Sequence, residues 1–269
     1  MNTIGRASRS HGRALVTVGG RTQQTNQNWA VVDGLDPDTT YSYQLQVNDK
    51  KIGEGSMRTY PERTDRLAFF VIGDFGNGSS MQYKMADVMR VEFERHRNSD
   101  NPVRFVITTG DNIYASMRMG SLLLGSGDVD WHWETKLFQP YERLLAEIPF
   151  YPSPGNHDGN EGEHGEDLAV YLDNFFFPQN KPARWYTFSF GGLADFFALD
   201  STANTEQGPP RPAYARDGEQ FRWLVKALQR SQARWKIPYF TIFRLTRGPA
   251  IRQAWMISGI SQSCSSVPE

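Results

Sequence analysis

The sequence predicts a layered α/β domain, of mixed sheets with flanking helices, preceded by an incomplete all-β unit. Three observations predict it. Residues 14–60 carry short β-rich runs with an apolar period of two. From about residue 66 continuous apolar strands alternate with amphipathic helical patterns. Three short Gly-Asp or Gly-Asn motifs then end three of those strands. A chain of 269 residues allows one or two domains, and 39% hydrophobic with 13% aromatic residues fills a real core. A disordered or low-complexity chain is excluded.

In the all-β unit, Ala14 to Val18 and Trp29 to Val32 are short strands. Leu35-Asp-Pro37-Asp-Thr-Thr40-Tyr41 then feeds a strand with Tyr41, Tyr43, Leu45 and Val47 on one face. Asn48-Asp49 turns the chain back toward Lys51-Ile52, and Ser56 to Thr59 closes the set. The Leu-x-Pro-x-Thr-x-Tyr pattern resembles the tyrosine corner of fibronectin type III sandwiches. Such sandwiches need about 90–100 residues, so with the linker at Pro61 the opening strands are expected to be missing from residues 1–61. A small unrelated hairpin layer is the alternative.

Beyond the linker, Leu67 to Ile72 reads as a strand buried on both faces. Ser79 or Ser80 can cap a helix with Met81, Met85, Val88, Met89 and Phe93 on one face. Phe105 to Thr108 is a second buried strand, Phe138 to Ala146 is helical, and Ile148 to Tyr151 leads into a third strand end. Trp185 to Phe190 and Asp195 to Leu199 form an antiparallel pair around Gly191-Gly192. Asp217 caps a helix with Phe221, Leu224, Val225 and Leu228 on one face, and Lys236 to Phe240 begins a further strand.

Charge and cysteine content narrow the function classes. A net charge of −1 predicts no nucleic-acid groove and no patch for an anionic membrane. The apolar runs are too short for a transmembrane helix. The single cysteine, Cys264, excludes internal disulfides and cysteine-rich zinc modules. Met1 to Gly20 is basic but lacks the apolar stretch of a secretory signal, so compartment stays open.

The chemistry lies in the three motifs: Gly73-Asp74-Phe75-Gly76, Gly110-Asp111-Asn112-Ile113-Tyr114 and Gly155-Asn156-His157-Asp158. Ligands of open α/β sheets gather at the carboxyl ends of strands, and a glycine before each polar residue lets the chain turn there. Each motif alone can be a simple turn. In this order and strand context they bring two carboxylates, a phenol, an amide oxygen and an imidazole to one rim. Carboxylate and phenolate oxygens suit hard cations. A carboxylate shared by two ions gives the two-metal geometry of phosphoryl displacement, and an imidazole beside it can protonate a leaving alkoxide.

With those motifs the sequence resembles the calcineurin-like metallophosphoesterases, and within them the purple acid phosphatases. Most of the superfamily reads D-x-H in the first motif and G-D-x-x-D/E in the second. Here Gly76 replaces the histidine and Tyr114 ends the second motif, two departures that occur together in purple acid phosphatases. The resemblance implies Asp74, Asp111 and Tyr114 as ligands of ferric iron. It implies Asp111 and Asn156 at a divalent ion (iron, zinc or manganese), with Asp111 bridging. His157 is implied to bind phosphate or protonate the leaving group while a metal-bound hydroxide attacks phosphorus. The implied substrate is a small phosphate monoester, and such enzymes are often secreted or periplasmic. A phosphodiesterase or nucleotidase of the same superfamily is the first alternative, and a non-catalytic scaffold protein the second.

The pattern breaks near the end of the catalytic segment, residues 66–240. The family carries three further histidine ligands beyond this point, yet all five histidines here lie at or before His164. Residues 241–269 show no clean period. A shifted reading frame from the Thr241 codon can encode His-x-Pro and a following amphipathic helix, with an Asp-Asp pair forced by Trp255-Met256-Ile257. A frameshifted tail is therefore expected, with a divergent tail as the alternative, and the chain as written is expected to be nearly inactive. His132, between two tryptophans, and the acidic Glu161–Asp167 run are read as packing and solvated residues.

Overall fold

The computed structural model describes residues 2–5, 13–27, 29–114, 117–119, 122–124, 133–155, 157–159, 168–178, 183–202, 215–216 and 218–241. The tail 242–269, His132, Asn156, the 161–167 run and Asp217 lie outside the described residues.

The alternating N-terminal runs pair as their period requires. Strands β1 (Asn2–Gly5) and β4 (Trp29–Val32) form one antiparallel pair. Strands β2 (Ala14–Val18), β3 (Arg21–Thr25), β5 (Thr40–Val47) and β6 (Lys50–Arg58) form an antiparallel sheet in the order β3-β2-β5-β6. Residues 51–58, which read as two separate runs, belong to the single strand β6, with a register irregularity opposite Leu45/Gln46. Asn48 and Asp49 both take positive φ (49° and 61°), the conformation of a tight hairpin turn. Val16, Val18, Ala30 and Val32 close a separate small core, with Tyr41, Tyr43 and Leu45 packed on it. The Tyr41 hydroxyl accepts from the Asp36 backbone N–H at 3.0 Å and donates to the Asp36 carboxylate at 3.1 Å. A tyrosine corner makes that kind of contact back to the chain a few residues upstream.

After Pro61 the layers change. Strands β7 (Ala68–Ile72), β8 (Val103–Thr109) and β11 (Phe150–Ser153) form a parallel sheet in the order β11-β8-β7. Central β8 is the strand buried on both faces. Strand β7 is an edge among the described residues, and Val71, read as covered, is 58% exposed. The β7-to-β8 crossover is helix α1 (Ser80–His96), capped by the Ser79 side chain, which accepts from Gln82 N–H. Its buried stripe is Gln82, Ala86, Met89 and Phe93. Met81, Met85 and Val88, expected on that face, are exposed one residue round the helix.

Before β11 the chain runs through a π-helical turn (Glu134–Phe138) and helix α2 (Gln139–Leu145). Strand β9 (Met117–Met119) pairs antiparallel with β10 (Leu122–Leu124). Helix α3 (Ala169–Asn174) precedes the second sheet. There β12 (Tyr186–Phe190) pairs antiparallel with β13 (Ala194–Ala198), which pairs parallel with β14 (Trp235–Tyr239). Helix α4 (Glu219–Arg230) connects β13 to β14. Its N-cap is Gly218 without a side-chain bond, its buried residue is Gln220, and Val225 is exposed. Gln220 brackets the Asp200 backbone with two hydrogen bonds of 2.7 and 2.8 Å, so polar anchoring wins the inward position there.

The two sheets meet through aromatics. Phe105 of β8 packs edge-on to Phe188 and Phe196 at 5.3 and 5.1 Å, and Tyr151 of β11 stacks on Phe188 at 3.7 Å. Interleaved rings of this kind hold more area per residue than aliphatic side chains. The N-terminal unit is joined to this core by Arg104 of β8, whose guanidinium reaches Asp38 at 3.1 Å and the Thr59 carbonyl at 2.6 Å. Tyr43 adds a bond to the Ala146 carbonyl at 2.6 Å.

Candidate metal centre

Parallel register levels the three strand ends: Ile72 lies opposite Thr108, and Ser153 opposite Thr109. Each motif therefore leaves the sheet at the same height. Asp74 and Asp111 both take left-handed backbone conformations, at φ 55° and 51°. Aspartate adopts that region at a cost of roughly 1–3 kcal/mol, a strain that concentrates at functional sites. Asp74 N–H bonds the Gly110 carbonyl at 3.2 Å, which brings the first turn against the second.

Two glycines permit the close approach. A Cβ on Gly76 would stand 1.8 Å from the Asn112 carbonyl oxygen, and one on Gly155 would stand 2.1 Å from the Asp111 nitrogen. A histidine at 76 has no room without parting the backbones.

The result is a shared centre. The Tyr114 hydroxyl lies 2.9 Å from Asp74 Oδ1 and 3.1 Å from Asp111 Oδ2. One phenolic proton serves both carboxylates. Burial first, then the charge of Asp111 and the bonds to both aspartates, push the Tyr114 phenol far above its ordinary range. Burial also raises Asp111, against the His157 N–H, which donates to its Oδ1 at 3.0 Å. The His157 ring lies 4.4 Å from the Tyr114 ring, tilted by 38°. Asp74, Asp111, Tyr114 and His157 are thus brought together as the motifs predict, and Asn156 lies outside the described residues.

Beneath them sits a buried lattice to which the sequence assigns no role. Asp158 accepts from Gly155 N–H (2.7 Å), Asn112 Nδ2 (2.8 Å) and Ile113 N–H (3.1 Å). Thr108 Oγ1 donates to Asn112 Oδ1 at 2.5 Å, and Asn112 Nδ2 reaches the Ser153 carbonyl. Burial pushes the Asp158 carboxyl up to about 8 despite its three N–H donors. The only sequence signal for Asn112 and Asp158 is their place inside the two motifs, and Thr108 and Ser153 carry none beyond their strands.

Among the described residues, no three His, Cys, Asp or Glu side chains gather as a metal site. The anionic donor atoms are two carboxylates and one phenol, a hard-oxygen set that fits one hard cation once the phenolic proton is lost.

Residues 67–242 match the family model of the calcineurin-like phosphoesterases. The chain belongs to that family. Calcineurin-like phosphoesterases are hydrolases of phosphate esters and generally hold a binuclear metal centre. Among solved structures the fold is similar to purple acid phosphatase PPD1 from yellow lupin (Lupinus luteus) seeds, at a TM-score of 0.61 and 17% identity, covering 84% of this chain and 45% of that one. It is also similar to PhoD, at a TM-score of 0.54 and 16% identity, covering 86% of this chain and 56% of that one. The chain thus spans about half the length of these two structures. No curated protein sequence matches it.

Proposed function

We propose that this calcineurin-like phosphoesterase carries the site of a purple-acid-phosphatase-like hydrolase of small phosphoric monoesters. Asp74, Asp111 and Tyr114 would hold ferric iron. Asp111 and Asn156 would contribute to a divalent site for iron, zinc or manganese. The observation that carries the reading is the Tyr114 phenol set between both carboxylates, in a loop that Gly76 allows to close. The ordinary family pattern puts a histidine at that glycine, where this backbone has no space for one.

When bound, such a pair of ions polarises the phosphoryl group and clamps the attacking and leaving oxygens. The residues of this chain do the rest. Asp111 is fixed in orientation by its N–H bond from His157 and its bond from Tyr114. His157, tethered through its own backbone and tilted beside the Tyr114 ring, would donate a proton to the leaving alkoxide.

The Tyr41–Asp36 contact and the separate small core support a fibronectin-III-like reading of residues 1–61, ahead of the catalytic unit 66–240. With no histidine after His164, residues 241–269 are read as a frameshifted tail, with a divergent tail as the alternative, and this chain as inactive or nearly so.

The test is to load the 269-residue chain and a frame-restored version with iron plus zinc or manganese. The expected result is a visible phenolate-to-iron band in both, lost in Tyr114→Phe, with hydrolysis of p-nitrophenyl phosphate only after frame restoration. Iron bound without colour removes Tyr114 from the site. A frame-restored protein preferring bis(p-nitrophenyl) phosphate makes it a diesterase, and equal turnover by both versions refutes the frameshift.

A further inference from the structure

Lys136 is a lysine with only 5% of its surface exposed, set in the π-helical turn before α2. That turn closes with Gln139 N–H donating to the Glu134 carbonyl, five residues back. The extra residue rotates the following side chains by roughly 100° relative to a regular helix, and such turns often lie at functional sites. Lys136 and Leu137 of this turn are both buried.

What Lys136 meets inside is the candidate centre's backbone. Its ammonium Nζ donates to the Tyr114 carbonyl. Its own carbonyl accepts from Gln82 Nε2. Gln82 Oε1 in turn accepts from Gly78 N–H at 2.6 Å, and Tyr114 N–H donates to the Gly76 carbonyl at 2.7 Å. The circuit closes: the 76–78 turn, Gln82 of α1, the π-helical turn and Tyr114 are joined in one ring of hydrogen bonds. The aliphatic stem of Lys136 fills the space over Gly78, where a Cβ would meet its Cγ at 3.2 Å. Both peptide groups of Tyr114 are therefore held, its N–H by the first motif and its carbonyl by a cation from a distant helix.

We propose that Lys136 and Gln82 are positioning residues that fix Tyr114 over Asp74 and Asp111. The inference rests on the reading of Tyr114 as a site residue. A phenol that must face two carboxylates at once, from a loop position three residues after a left-handed aspartate, needs its backbone fixed on both sides. A charge-assisted bond from a largely buried lysine is stronger than a neutral one. Gln82 is explained by the same circuit: it stands on the buried stripe of α1 among Ala86, Met89 and Phe93, where an apolar residue belongs unless its amide is used at both ends.

The experiment compares the metal-free 269-residue chain with Lys136→Met, which keeps the stem and removes the charge, and with Gln82→Leu as a second route into the circuit. Hydrogen–deuterium exchange is read at residues 111–114 and along β8. The expected result in either variant is exchange of the Tyr114 amide about tenfold faster or more, the change equivalent to losing one charge-assisted bond, with β8 unchanged. Unchanged exchange at 111–114, or equal acceleration throughout β7, β8 and β11, overturns the clamp and leaves Lys136 as plain core. A second arm adds ferric iron. Lys136→Met is expected to bind it about 10–100-fold more weakly, with a shifted visible band. If the wild-type chain takes up no iron, the metal reading falls, while the exchange arm still decides the clamp.

Discussion

A single methyl group at Gly76 should undo the centre. In Gly76→Ala the new Cβ would lie 1.8 Å from the Asn112 oxygen, 2.3 Å from its carbonyl carbon and 2.5 Å from Ile113 Cα. All three are backbone atoms, so no rotamer change relieves the overlap. The two loops must part by more than an ångström to reach ordinary contact. That opening breaks the 2.7 Å bond from Tyr114 N–H to the Gly76 carbonyl and draws the Tyr114 hydroxyl off Asp74, now 2.9 Å away. Two hydrogen bonds at about 1 kcal/mol each, with about 1–3 kcal/mol of overpacking, give a loss of roughly 3–5 kcal/mol. Against a typical domain stability of about 5–15 kcal/mol this is a large fraction. Gly20→Ala is the control, since its φ is +79° but nothing lies within 4 Å of the added Cβ. It should cost only about 1–2 kcal/mol, the left-handed penalty alone. Urea unfolding of the metal-free proteins measures both. A Gly76→Ala chain as stable as Gly20→Ala, with Tyr114 exchange unchanged, would refute the close approach.

Two further expectations concern charge. Asp158 titrates near 8 when folded and near 3.9 when unfolded, so between those values the folded chain holds a proton the unfolded chain has lost. Its contribution is fully present below about pH 4 and falls as pH rises, by at most about 1.4 kcal/mol per unit until about pH 8. In urea melts without metal, the stability of wild type relative to Asp158→Asn should therefore decline from pH 5 to pH 7; a flat difference would mean the carboxyl is already ionised on its three donors. Arg104→Met removes a guanidinium whose side chain is 9% exposed and that lies 5.3 Å from the Phe190 ring centre, leaving the Thr59 carbonyl without its donor. A loss of about 2–4 kcal/mol is expected by chemical denaturation, and a change under about 0.5 kcal/mol would show the joint to the N-terminal unit is not held by this residue.

The strand ends were legible because their chemistry is local. A continuous apolar run followed by Gly-Asp places a carboxylate at a sheet rim, and three such runs in sequence order placed Asp74, Asp111 and His157 together. The burial of α1 was not legible in the same way. Its apolar stripe Met81-Met85-Val88 has the helical period, yet the residues turned inward are Gln82 and Ala86 beside Met89 and Phe93. Gln82 wins because its amide satisfies Gly78 N–H and the Lys136 carbonyl, a long-range demand that periodicity does not encode. Strand β7 shows the same limit: its apolar run predicts two covered faces, but Val71 is 58% exposed. Lys136 was not legible because the group its ammonium meets, the Tyr114 carbonyl, lies 22 residues away in sequence.

Strain and charge at the centre account for each other. Two left-handed aspartates would repel with nothing between their oxygens, and each already carries a backbone cost of roughly 1–3 kcal/mol. In the metal-free chain the Tyr114 hydroxyl stands between them, 2.9 and 3.1 Å from the two carboxylates, and burial, then the charge of Asp111 and the bonds to both aspartates, raise its pKa. The proton thus does for two carboxylates what a cation does for two carboxylates and a phenolate. A site meant only as a turn needs neither the second aspartate in this conformation nor a tyrosine whose backbone is secured at both ends. The joint presence of strain, converging oxygens and a fixed phenol supports the proposed reading of this rim over that of ordinary Gly-Asp turns.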